Sequence, residues 1–370
     1  MMPQRRLLYA SYGLSTHDHR FMSLAAQAGW RVHYLRFDGG GGSLSDEPPP
    51  SGAVIENWLG SQVPLNEDSQ ERFVEAVIGI AERVRPHVVH AGPLTTVTPV
   101  IARAGLRPLI GMSWASDLLL ESPRSARARR AAELSIAASS LVLVDARSVA
   151  VKAVEHGADP DLVSIIPWGV ELDRFPLRPM RHPSGVLRLL SLRSHEPVYD
   201  IDTLLNGLSI AHATRGPVLS LDIVGSGSLT PQLMRRAIEL EVPHLVTWHG
   251  RVSERDVANH LARCDVHVST SHVDGTSISL LQAMASGRPS IAVDNASNRE
   301  WIERGATGWL FRGGDARDLA DRLSEIVDTR DTLRELGRGA RDRVEQDGDW
   351  SINGLRVLDL YERLHNEKNA

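Results

Sequence analysis

The sequence predicts an α/β protein built from two doubly wound parallel sheets, and three observations carry that prediction. In both halves short apolar runs alternate with segments of helical period, the β/α order of parallel sheets. The 370 residues exceed what one ordinary core serves and suit two domains of similar size. A Pro-rich stretch, PLRPMRHPSG at 176–185, lies between the two series, as a domain boundary should. Ligands of such sheets bind beyond the carboxyl ends of the strands, so the chemistry is expected in the loops that follow them.

In the first half, apolar runs predict strands at 6–10, 31–37, 87–91, 108–112 and 141–144, and helical periodicity covers 20–28, 69–84, 124–138 and 148–155. The run GGGGSLSDEPPPSG at 39–52 is expected to be a flexible surface loop. In the second half strands are predicted at 187–192, 219–224, 245–248, 266–269 and 290–293, with helices at 202–213, 231–240, 254–263 and across LLQAMA. The tail 350–364 again has helical period.

Composition excludes several classes. With 42% hydrophobic and 24% charged residues and a net charge of −5, the chain has the make-up of a globular protein without a nucleic-acid footprint. No apolar run approaches the roughly 20 residues of a membrane span, which leaves only peripheral membrane contact open, and MMPQRRLLYA is too short and polar for a signal peptide. The lone Cys264 has no disulfide partner, so a cytoplasmic location is the expectation. Lys152 and Lys368 are the only lysines, and neither lies in a Gly-rich loop, which excludes a Walker-type ATPase. A cation that meets a phosphate is therefore expected to be arginine.

The segment from Val273 to Leu310 says most about function. Asp274 is followed by Gly275 and small hydroxyl residues and then by LLQAMA, a tight loop opening a helix whose first N–H groups can hold an anion. This stretch resembles the donor-nucleotide site of glycosyltransferase family 4, whose members are retaining enzymes of the GT-B fold: two Rossmann-like domains facing a central cleft. The family carries a Glu, seven intervening residues and a second Glu; Asp274 and Gln282 stand at those places. By resemblance Asp274 contacts the donor sugar and Gln282 the ribose hydroxyls, where an amide can both accept and donate. Thr276, Ser277, Ile278 and Ser279 would hold the diphosphate.

Other phrases agree with the resemblance. IIPWGVELDRF at 165–175 is similar to the family's domain-closing phrase, with Trp168 in place of Asn. In SLRSHEPVY, Arg193 fills the place of the pyrophosphate arginine, whereas Tyr199 stands where a Lys is expected; Arg20 or Arg299 are candidates to compensate. Gly225 and Gly227 after a strand, and Gly13 after the first strand, match glycines that face the donor, and the turn holding His249 and Arg251 is similar to the base-flanking turn. On the acceptor side, Gly92 and Trp114 occupy places where the family often has His, and Asp117 survives from its phrase; His17, Arg20 and Trp114 are the acceptor-side candidates. HDHR at 17–20 is not a recognised metal cage, and the Asp-any-Asp matches at 159–161 and 200–202 lie in a Pro turn and at a helix start.

The resemblance implies an acceptor-side domain over 1–178, a nucleotide-sugar domain over 179–349 and a C-terminal helix, 350–370, packed back on the first domain. Its activity would be retaining, metal-independent transfer of a sugar from a nucleoside diphosphate sugar to an unidentified acceptor, with Arg193, Asp274 and Asp117 as catalytic candidates and no cofactor. Two alternatives share the architecture: a sugar epimerase or phosphorylase, and a non-catalytic partner protein.

Overall fold

The computed structural model describes residues 4–41, 48–66, 70–180 and 185–369. Positions 42–47 of the expected loop, residue 69 of the expected helix and 181–184 of the linker lie outside the described residues. The chain divides into two compact units, one formed by 1–168 with 351–370 and the other by 169–350. The first division thus falls ten residues before the one the Pro-rich linker suggested.

The first unit runs β1 (Arg6–Ser11), α1 (Thr16–Gln27), β2 (Arg31–Arg36), β3 (Ala53–Ile55), α2 (Gln70–Val84), β4 (Val88–Ala91), α3 (Val97–Arg103), β5 (Leu109–Met112), a π turn at Asp117–Glu121, α4 (Ser122–Arg124), α5 (Ala126–Ala138), β6 (Leu141–Val144), α6 (Arg147–Glu155) and β7 (Val163–Ile165). Its strands pair in parallel in the order β3-β2-β1-β4-β5-β6-β7. β1 and β4 to β6 are apolar and almost entirely buried, as strands covered on both faces must be.

The second unit runs β8 (Leu187–Leu192), α7 (Ile201–Arg215), β9 (Leu219–Val224), α8 (Thr230–Glu239), β10 (Val246–Gly250), α9 (Glu254–Arg263), β11 (Val266–Ser269), α10 (Ile278–Ala285), β12 (Ser290–Val293), β13 (Gly308–Phe311), α11 (Ala316–Asp328) and α12 (Leu333–Asp347). Its parallel order is β10-β9-β8-β11-β12-β13. The winding direction reverses between β8 and β11, and in the first unit between β1 and β4, which marks those crevices as the sites where doubly wound sheets take ligands.

The final helix, α13 (Trp350–Asn369), starts beside the chain's passage into the second unit, where Val170 and Asp349 form a parallel bridge. From Ser351 on it belongs to the first unit. Tyr361 is buried there with its hydroxyl 2.7 Å from His90 Nδ1, and Glu362 accepts from Trp30 Nε1 at 3.2 Å and from Arg5.

Helix α1 begins four residues before the periodicity suggested. Ser15 caps it, accepting from Asp18 N, while Asp18 Oδ2 accepts from Ser15 N at 2.8 Å, a capping box that turns HDHR from loop into helix. Strands β3, β7 and β13 and helices α3, α11 and α12 are additional to the sequence prediction.

Candidate active site

The crevice between β8 and β11 holds a connected cluster. Arg193, the residue after β8, donates from Nε to Ser269 Oγ at 3.1 Å and from its two terminal nitrogens to the two carboxylate oxygens of Asp274, at 3.2 and 2.6 Å. Its Nη2 also donates to Ser277 Oγ. The guanidinium lies 5.4 Å from the centre of the Tyr199 ring, a cation–π distance. Tyr199 therefore supplies no second cation; it packs against the one present. With side-chain exposures of 9% and 14%, Arg193 and Asp274 are shielded enough for the fork to be worth more than a surface ion pair.

Ser277 caps α10, accepting from Leu280 N at 3.4 Å. Helix geometry leaves the N–H groups of Ile278 and Ser279 without intrahelical partners, beside the same arginine. Thr276, Ser277 and Ser279 are buried. Gln282 stands half-buried on the next turn, and its side-chain amide bonds none of the described residues.

Gly225 and Gly227 lie at close backbone contacts. At φ +141, Gly225 would place a Cβ 2.1 Å from Arg193 O, and Gly227 would place one 2.6 Å from His195 O. The loop after β9 thus lies directly on the loop after β8 and fixes the backbone that carries Arg193. Glu196 strengthens the junction by accepting from Ser228 N at 2.8 Å and Ser228 Oγ at 2.6 Å, and these bonds hold its carboxyl below the usual range. Buried His195 fills the space beneath, with Nδ1 2.8 Å from Thr230 Oγ1 and its ring edge-on to Trp248.

Arg251 is exposed, and His249 pairs with Asp222 at 2.7 Å. Arg299 is paired with Asp294, at 2.5 Å from Nε, and so has its own carboxylate.

In the first unit, Gly13 is buried after β1 and its carbonyl accepts from Ser11 Oγ at 3.3 Å. Arg20 turns inward, donating to Trp168 O at 2.9 Å, and is only 9% exposed. His17 lies against Trp168 with ring centres 4.5 Å apart, and its Nδ1 has no hydrogen-bond partner among the described residues. Burial first, and the Arg20 charge second, push His17 down to about 3, so the ring is neutral.

Trp114 and Asp117 lie beyond the end of β5. A Cβ on Gly92 would sit 3.1 Å from Trp114 Nε1 and 2.6 Å from Met112 O, so the small residue at one of the family's His places makes room for the indole at the other. Asp117 is fully buried: Ser113 Oγ and Leu118 N donate to Oδ1 at 2.6 and 2.9 Å, and Leu94 N and Trp114 N donate to Oδ2 at 2.8 and 3.3 Å. With both oxygens engaged it ties the loops after β4 and β5 together. Burial raises its carboxyl to about 6 against those bonds.

Ser269, His195 and Glu196 complete the second-unit constellation without being candidates from sequence. The one available signal is their place at or just beyond the end of a predicted strand. Among the described residues no three His, Cys, Asp or Glu side chains are grouped to hold a metal ion.

Two parallel-sheet Rossmann-like units of this topology define the GT-B glycosyltransferase fold. The sucrose-phosphate synthase of Thermosynechococcus elongatus superposes with a TM-score of 0.82 at 16% identity, over 98% of this chain and all of that one. Anabaena Alr3699/HepE, solved in complex with UDP and glucose, superposes at 0.78 with 16% identity, over 97% of this chain and 100% of that one. Residues 178–343, all within the second unit, match the glycosyl transferases group 1. A D-inositol 3-phosphate glycosyltransferase of Pseudarthrobacter chlorophenolicus is 24% identical over 94% of this chain and 90% of its own length. The second unit thus resembles that group, and the chain as a whole is similar to relatives named as glycosyltransferases, with which the family 4 resemblance is consistent.

Proposed function

We propose that the enzyme transfers a sugar from a nucleoside diphosphate sugar to an acceptor hydroxyl with retention at the anomeric carbon and without an obligatory metal. The observation that carries this reading is the convergence of Arg193, Asp274 and the capped start of α10 at the β8/β11 reversal. In this reading the second unit binds the donor, the first unit takes the acceptor, and the enzyme works in the cytoplasm. The UDP held by the Anabaena structure makes a uridine nucleotide the first donor to test.

Arg193 and the Ile278 and Ser279 N–H groups face the diphosphate, Gln282 the ribose and Asp274 the sugar. As the bond from the anomeric carbon to the phosphate oxygen breaks, its electron pair stays on the phosphate. Arg193 and the helix start stabilise that charge with donors already in position. The acceptor hydroxyl attacks from the face the phosphate leaves and gives its proton to the departing oxygen. Because Arg193 is shared with Asp274 in the free protein, donor binding divides one guanidinium between a carboxylate and a diphosphate. A thermal-shift panel of uridine, guanosine and adenosine diphosphate sugars tests the reading, since a ligand at 100 times its Kd adds about 2.7 kcal/mol. No stabilisation by any of them would contradict it.

A further inference from the structure

Helix α12 holds its arginines in two ways. Toward its end Arg341 pairs with Glu345 and Arg343 with Asp347, each one turn on. In its first two turns Arg334 and Arg338 stand one turn apart with no carboxylate partner among the described residues, and with Arg178 they rim a hollow of about 410 Å³. Leu177, Pro179 and Met180 give that hollow an apolar side. Its size lies within the range of small-molecule pockets.

Two features make the Arg334 and Arg338 pair unfavourable when the hollow is empty. Like charges one helical turn apart repel. Cations in the first turns oppose the helix dipole, which Glu335 in the first turn offsets in part, and Thr332 makes no side-chain cap bond. Both penalties vanish when an anion lies between the guanidinium groups. The walls are also held at backbone contact. A Cβ on Gly337 would meet Gly287 O at 2.2 Å, one on Gly287 would meet Leu177 Cδ1 at 2.4 Å, and Arg178 O is held by buried Arg288 at 3.3 Å. A planar guanidinium matches the oxygens of a phosphate group two at a time.

We propose that this hollow is a second anion site, taking a phosphate monoester whose carbon body rests on Leu177, Pro179 and Met180. It is separate from the Arg193 cluster: Ser277 opens α10, whereas Gly287 follows its other end, an eight-residue helix of about 12 Å away. It is independent of the donor assignment. The phosphate could be carried by a soluble ester or by a lipid headgroup.

The test is calorimetric titration of the full chain with glycerol phosphate, in wild type, Arg334→Gln/Arg338→Gln and Arg193→Ala. The double variant should bind at least about tenfold more weakly, the loss of one charged hydrogen bond, while Arg193→Ala should bind as wild type does. Its thermal midpoint, matching that of wild type, shows that the double variant is folded. Sedimentation with phosphatidic acid vesicles then separates the sources. Co-sedimentation that the double variant loses assigns the site to a lipid phosphate, and soluble binding without co-sedimentation assigns it to a free ester. Absence of binding in both arms, binding unchanged in the double variant, or binding lost only in Arg193→Ala would overturn the proposal.

Discussion

Replacing Arg193 with Ala should separate the two partners that share its guanidinium. In the free protein the side chain donates to Ser269, Ser277 and both oxygens of Asp274. The substitution removes the charged donors to the diphosphate, worth about 1.5–3 kcal/mol, and leaves Asp274 unpaired at 14% exposure. A bare carboxylate about 6 Å from a diphosphate charge adds up to about 3 kcal/mol of repulsion at an effective dielectric of about 20. Nucleoside diphosphate affinity, measured by calorimetry at constant salt, should therefore fall by about 1.5–6 kcal/mol. The Arg193→Ala/Asp274→Asn double variant should recover part of that loss, because the repulsive charge is gone while the donors remain absent. The order of affinities is thus wild type, double variant, single variant. Unchanged affinity in Arg193→Ala would refute the placement of the diphosphate, and a double variant no better than the single one would refute the shared-guanidinium account.

Further outcomes follow from other contacts. Gln282→Glu should keep nucleotide binding, whereas Gln282→Leu should cost about 1–3 kcal/mol by leaving a hydroxyl unpaired; equal affinity in all three forms would remove Gln282 from the ribose. Tyr199→Lys should tighten diphosphate binding, more so at low salt, by replacing a ring stacked on Arg193 with a second cation; salt-independent affinity would count against it. Gly92→Ala should lower the thermal midpoint and shift tryptophan fluorescence, because the new methyl meets Met112 O and the Trp114 indole; a silent substitution would contradict the packing described. Burial holds His90 and His267 down at about 3, both with no exposed surface. Between about pH 6.5 and 3 the unfolded chain binds the extra protons, so each His costs about 1.4 kcal/mol of stability per unit of acidification. Asp117, raised to about 6, acts in the opposite sense between about pH 4 and 6 and offsets part of this. His90→Gln should flatten the acid side of the stability profile measured by denaturant unfolding, and an unchanged slope would show that His90 is not the source.

The architecture was legible because fully buried parallel strands and amphipathic helices write different periods. The elements not assigned, such as β3 and β7, have only three residues each, too few to show a period. Helix α1 was placed late because the Ser15–Asp18 box, not an apolar stripe, starts it. At the site, Asp274, Ser277 and Gln282 lie within one short segment, and Arg193 directly follows a clear strand. The partnership of Arg193 with Asp274 spans 81 positions and depends on β8 pairing with β11, which local sequence does not encode. The same holds for Asp117, whose donors come from residues 94, 113, 114 and 118. Resemblance marked it for chemistry, and only the fold shows that its oxygens are already used.

The central claim is that the Arg193 cluster holds a departing nucleoside diphosphate while its sugar is transferred with retention. Proton NMR of the first-formed product from a donor that binds, recorded in excess chelator for wild type and Arg193→Ala, tests this directly. The account predicts a product with the donor's anomeric configuration, turnover that persists with chelator, and a rate that Arg193→Ala lowers by more than it weakens donor binding, because the leaving phosphate gains charge in the transition state. An inverted first product, or turnover indifferent to Arg193, would contradict it.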